Sequence, residues 1–126
     1  MPTVRLTLVS DGIEFDRKDG SLSIFHAFER KRIMEFPVEG EFIVTVFWHS
    51  SINENVDESF TVVDSAGDVI AAKPPTRVIF DKSLQITFTR FKDVLFQFPD
   101  IYTVNVYANE NIADTASFVI EQDTNE

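Results

Sequence analysis

Two histidines, His26 and His49, are the side chains of this sequence best suited to moving protons near neutral pH. His49 stands directly before Ser50 and Ser51, so a base and two hydroxyls are neighbours in the chain. Adjacency does not make a hydrolase. A serine, histidine and acid must converge in space beside an oxyanion hole, and the chain has neither a nucleophile elbow nor a glycine-rich loop, with four glycines in all. Two imidazoles are also too few for zinc unless carboxylates complete the site. The absence of cysteine removes disulfides, thiolate metal sites, haem attachment and cysteine nucleophiles together.

The carboxylates offer a second chemistry. Asp11, Asp16 and Asp19 surround one turn signal, and Asp64 and Asp68 flank another, so oxygen ligands for calcium could gather at one end of a domain. No Asp-x-Asp-x-Asp-Gly loop is present, although calcium needs six or more oxygens. Asx turns and solubilising charge explain these aspartates, and no metal or cofactor is expected. Acid pairs of the glycosidase type are present by composition, but their separation cannot be read across strands. Arg30-Lys31-Arg32 is the sole basic run. With Arg5 or Lys92 it could hold an anion; as a charged sheet edge it would block unwanted pairing, and the edge is the expectation here. With 11 basic against 21 acidic side chains the net charge is -10, which disfavours nucleic acid and anionic lipid. An enzyme is not expected.

The elements that position these residues follow a period of two. Leu84, Ile86 and Phe88 alternate with Gln85, Thr87 and Thr89, as in a half-buried strand. Val4, Leu6 and Leu8, then Tyr102, Val104 and Val106, then Ala116, Phe118 and Ile120 do likewise, so each strand is expected to turn those residues to the core. Phe42 to His49 is apolar on both faces and reads as a central strand. Asp16 to Gly20, Asp64 to Asp68 and Asn109 to Asn111 read as tight hairpin turns, and Pro74-Pro75 as a loop. Leu22 to Phe28 continues the alternation, with Arg30 to Arg32 as a polar edge or bend beyond it. The sum is roughly eight or nine strands in an antiparallel β-sandwich. At 126 residues, one domain over residues 1–121 buries roughly two-thirds of its unfolded surface, and residues 122–126 form a polar tail. The chain shows no leader and no membrane-spanning run, so the cytoplasm is the expected compartment.

Tyr102, preceded by Phe98-Pro99-Asp100-Ile101, stands just inside the penultimate strand, where immunoglobulin-like sandwiches carry a corner tyrosine bonded back to nearby backbone. Asp19-Gly20-Ser21-Leu22-Ser23-Ile24 with Phe28-Glu29-Arg30, then Phe36-Pro37, then Pro99 with Tyr102 to Tyr107, resembles a family of small bacterial proteins of unknown function. The resemblance spans most of the chain and departs from the family at His26 and Asp100. It implies an immunoglobulin-like sandwich and carries no activity, cofactor or catalytic residue.

Thirteen phenylalanines exceed what one face per sheet requires. Either loops cover the surplus rings in an enlarged aromatic core, or rings line an exposed patch, which on a soluble protein marks a partner surface. The second account places Ile43, Phe47, Phe91 and Phe96 at a protein-binding face and predicts a symmetric homodimer. The function expected is a non-enzymatic interaction or structural module with a protein partner. The alternative is a small-molecule or carbohydrate binder with a loop-end cleft near Trp48, His49 and Tyr107.

Overall fold

The computed structural model describes residues 1–123 and consists of nine β-strands among them: β1 (Thr3–Phe15), β2 (Leu22–Ala27), β3 (Arg30–Ile33), β4 (Val38–His49), β5 (Asn55–Val63), β6 (Val69–Ile79), β7 (Leu84–Phe96), β8 (Asp100–Ala108) and β9 (Asn111–Gln122). They form two stacked sheets, one of four strands in the order β2-β1-β4-β7 and one of five in the order β3-β9-β8-β5-β6. This is a β-sandwich of the immunoglobulin-like type, and the chain crosses between the two layers at β2–β3, β3–β4, β4–β5, β6–β7 and β7–β8. Every pairing is antiparallel except one. β3 runs parallel to β9, from Arg30 opposite Val119 to Ile33 opposite Gln122, so the larger sheet is mixed.

The turns form where aspartate, asparagine and glycine direct them. The Asp64 carboxylate accepts the amides of Ala66 and Asp68, and the chain then turns through Gly67 at φ 87°, a left-handed conformation that suits a residue without a Cβ. Asn109 and Glu110 take φ 51° and 74°, so the β8–β9 hairpin closes on two left-handed residues. Tyr102 is the corner tyrosine: its hydroxyl donates to the Phe98 carbonyl at 2.7 Å. Burial, reinforced by the charges of Asp100 and Asp64, pushes this hydroxyl's pKa above the ordinary tyrosine value.

Between the layers lies an aromatic and β-branched core. Phe42 stacks on Phe91 at 5.2 Å and reaches Phe118 of the opposite sheet at 5.4 Å, while Phe96 meets Tyr102 edge-on at 4.9 Å. Tyr102, Val104 and Val106 of β8 and Phe118 and Ile120 of β9 point inward, as their alternation requires. The core thus takes six of the phenylalanines, namely Phe42, Phe60, Phe80, Phe91, Phe96 and Phe118.

Three expectations are corrected by the structure. Pro74 and Pro75 lie within β6 rather than in a loop; β6 is an edge strand, and its pairing with β5 skips both prolines between Lys73 and Thr76 at a bulge, so no ladder amide is missed. The tail does not begin at Gln122, which ends β9 and donates its side-chain amide to Met34, and the Asp123 amide bonds to Ile33; residues 124–126 of that expected tail lie outside the described residues. The third correction concerns the facing of two strands. In β7, Gln85, Thr87 and Thr89 face the interior, while Leu84, Ile86 and Phe88 are 53%, 43% and 51% exposed. In β1 a bulge at Arg5 sends Val4, Thr7 and Val9 inward and leaves Leu6 and Leu8 on the outside.

The reason is that facing is chosen once for a whole stretch of strand. Phe91 packs on Phe42 and Phe60 in the core, and its anchorage fixes the inward parity back to Gln85. Beyond Phe91 the pairing slips at Asp93, held at φ 55°, and Val94 and Phe96 become the inward residues.

Candidate functional site

The displaced alternation of β1 and β7 meets the second apolar face of β4 on the outside of the four-stranded sheet. Register places Leu6, Phe47 and Ile86 in one row, Leu8, Thr45 and Phe88 in the next, and Ser10, Ile43 and Arg90 in the third. Thr3, His49 and Leu84 form the row at the other end. Phe25 of β2, opposite Gly12, lies on the same face, its ring 3.6 Å from where a Cβ on Gly12 would stand. The result is an outward layer of leucine, isoleucine and phenylalanine three strands wide, with no charged side chain in the Leu6 and Leu8 rows; exposed Arg5 stands at the bulge between this layer and the His49 row, and Arg90 closes the other end. Arg90 is itself paired with Glu41 at 2.7 Å. Beneath the layer Ile43 and Thr45 are fully covered, and the Thr45 hydroxyl has no hydrogen-bond partner among the described residues.

The expected partner face maps onto this layer only in part. Phe91 and Phe96 are core residues, 6% and 3% exposed, because they belong to the inward parity of β7. Ile43 is on the outer face but buried as its floor, and Phe47 is half-buried within it. Leu6, Leu8, Leu84, Ile86 and Phe88 supply the exposed area, and sequence reasoning assigned all five to the core. The signal that could have found them was the count of faces: three neighbouring strands each offered an apolar alternation, while β4 had apolar residues to spare on both sides.

The cleft expected at Trp48, His49 and Tyr107 does not form. Trp48 is fully buried between the sheets, where its indole N–H donates to Glu58 at 2.8 Å and approaches the Thr87 hydroxyl at 3.2 Å. Thr87 in turn donates to the same Glu58 oxygen at 2.6 Å. His49 is exposed on the outer face of the four-stranded sheet, and Tyr107 lies on the other sheet with its hydroxyl against Thr61 at 3.2 Å. The three residues therefore point to three different places. A concavity of about 550 Å³ lies elsewhere, between β1 and β9, where Thr7 donates to Asp114 at 2.7 Å across the seam.

The other candidate groups are engaged locally. The Ser50 hydroxyl donates to the Ser51 carbonyl at 3.3 Å, and His49 pairs with Thr3 at one end of β1 while His26 lies beyond Ser10, beside the other half of that strand. Asp16 accepts the Lys18 amide and Asp19 the Ser21 amide, both at 2.8 Å. Hydrogen bonds from Ser21 hold the exposed Asp19 carboxyl below the usual aspartate range. No group of three or more histidine and carboxylate side chains is placed to hold a metal ion among the described residues. Arg30 and Arg32 pair with Glu121, and Lys31 pairs with Asp11, so the basic run forms the charged outer strand β3 with its own carboxylate partners.

No protein-family model matches the sequence, and no curated protein is similar to it in sequence. Among solved structures, the chain is similar in fold to Pseudomonas fluorescens alkylpurine DNA glycosylase AlkC bound to DNA containing an abasic site analog, at 12% identity and a TM-score of 0.56. The match covers 95% of this chain and 30% of that one, so the chain spans less than a third of its neighbour's length. At that identity the likeness concerns the sandwich alone.

Proposed function

We propose that this chain is a non-enzymatic interaction module whose working surface is the outer face of the four-stranded sheet. The observation that carries the reading is the apolar layer of Leu6, Leu8, Phe47, Leu84, Ile86 and Phe88, built across three hydrogen-bonded strands. Four of these side chains are 43% to 53% exposed, and with Phe25 the layer offers roughly 600 Å² of apolar surface, at the upper end of what a monomer shows to water. A sheet face of that kind is a half-core, and a protein surface is what completes it.

The test is a photo-crosslinking amino acid placed at Phe88 in the cells that express the protein, with the same group at exposed Ile112 on β9 as control. Protein adducts at residue 88 and none at residue 112 are expected. Adducts at both positions alike, or none at 88, would overturn the assignment of the surface.

A further inference from the structure

The layer on the four-stranded sheet also indicates what covers it. We infer that its occupant is a second copy of the same chain, the two outer faces stacking about a two-fold axis; this rests on the interaction reading above. Three observations favour a copy over a foreign surface. The first is area: two faces of roughly 600 Å² bury roughly 1,200 Å² together, the lower bound for a specific stable interface. The second is charge. The chain carries -10 overall, so two copies repel unless they meet where no acidic charge is presented, and the Leu6 and Leu8 rows of this face carry no charge, with exposed Arg5 at one end and the Arg90–Glu41 pair at the other. A strongly basic partner, which the net charge would otherwise attract, finds no carboxylate to address there. The third is shape. Between Ile43 and His49 the pairing of β4 with β7 is free of bulges, and β1 pairs regularly with β4 from Leu6 to Ser10, so that part of the face is a regular sheet surface, and regular sheet faces pack on one another in aligned layers. An isologous contact needs only that one face be complementary to itself. The rows Leu6-Phe47-Ile86 and Leu8-Thr45-Phe88 allow this, because their exposed side chains are rings and aliphatic groups, and the one hydroxyl among them, that of Thr45, is buried beneath them.

In the dimer the face becomes the centre of a four-layered assembly, with the five-stranded sheets on the outside. The free edges β6 and β3, which carry Pro74, Pro75 and the Arg30 to Arg32 run, stay clear of the contact.

Sedimentation velocity of the purified chain over a low- to high-micromolar series tests the inference. The expected result is a concentration-dependent rise from 14.4 kDa toward twice that mass, strengthened by added salt because the repulsion of like net charges is screened. Phe88→Lys should weaken association by at least about tenfold, since a buried unpaired ammonium replaces a ring, and Ile112→Lys should leave it unchanged. Circular dichroism must show both variants folded; if Phe88→Lys is not, Phe88→Ser takes its place with the same expected loss. A chain that stays monomeric throughout, or a dimer indifferent to both substitutions at residue 88, overturns the inference. If that monomer crosslinks through residue 88 to a different protein, the second copy is wrong and the interaction surface stands. If it instead floats with neutral phosphatidylcholine vesicles, both are wrong.

Discussion

Thr45 sits where the outer apolar layer is thickest, and replacing it by valine isolates one energetic term. Its hydroxyl is fully buried and has no hydrogen-bond partner among the described residues. In register its neighbours are Leu8 on β1 and Phe88 on β7, with Ile43 and Phe47 two residues away along β4. The hydroxyl gives up its water on folding and gains nothing in return, a loss of about 1–3 kcal/mol for a buried unpaired group. Valine has nearly the same shape and branching, so Thr45→Val removes that cost without opening a cavity or changing strand preference. A gain of about 1–2 kcal/mol is expected, which for a chain of this length raises Tm by roughly 3–10 °C. Thr45→Ala serves as the contrast, because it removes the hydroxyl and leaves a void where the methyl was. Urea unfolding followed by circular dichroism at low protein concentration measures the difference while association contributes little. A Thr45→Val chain no more stable than the parent, with an unchanged m-value, would refute the claim that the hydroxyl is unpaired and that this row is dry.

Two further outcomes follow from the interior. Glu58→Leu strands the donors of Trp48 and Thr87 and should cost about 2–3 kcal/mol, whereas adding Trp48→Phe and Thr87→Val to it should restore most of the loss, since removing one partner is costlier than removing all; urea midpoints by circular dichroism measure both. Tyr102→Phe should cost about 1 kcal/mol through the lost bond to Phe98. Because burial raises the folded-state pKa of Tyr102 above the ordinary tyrosine value of about 10, the unfolded chain releases this proton first, and its contribution to stability falls as pH climbs from about 10 through the folded pKa. An alkaline stability profile should therefore be flatter for Tyr102→Phe than for the parent, and parallel profiles would count against the buried corner.

The connection of sequence to site is clearest where signals are local. The turn at Asp64 to Asp68, the left-handed pair at Asn109 and Glu110, and the corner bond of Tyr102 to Phe98 each depend on residues within a few positions of one another. The charged edge β3 was legible for the same reason, as a short basic run following an alternating segment. The burial of Trp48 between the sheets was not, because its partners Glu58 and Thr87 come from other strands.

Period-two patterning alone determined that the chain makes strands, about how many, and that it stacks them in two layers. It could not determine which side of β1 and β7 meets the core, because an alternating strand has two faces and a shift of one residue exchanges them. Tertiary packing decided that: Phe91 against Phe42 and Phe60, the bulge at Arg5, and the slip at Asp93 together turned Leu6, Leu8, Leu84, Ile86 and Phe88 outward. A surface layer was made from residues whose local pattern reads as core, since parity along a strand is set by contacts distant in sequence.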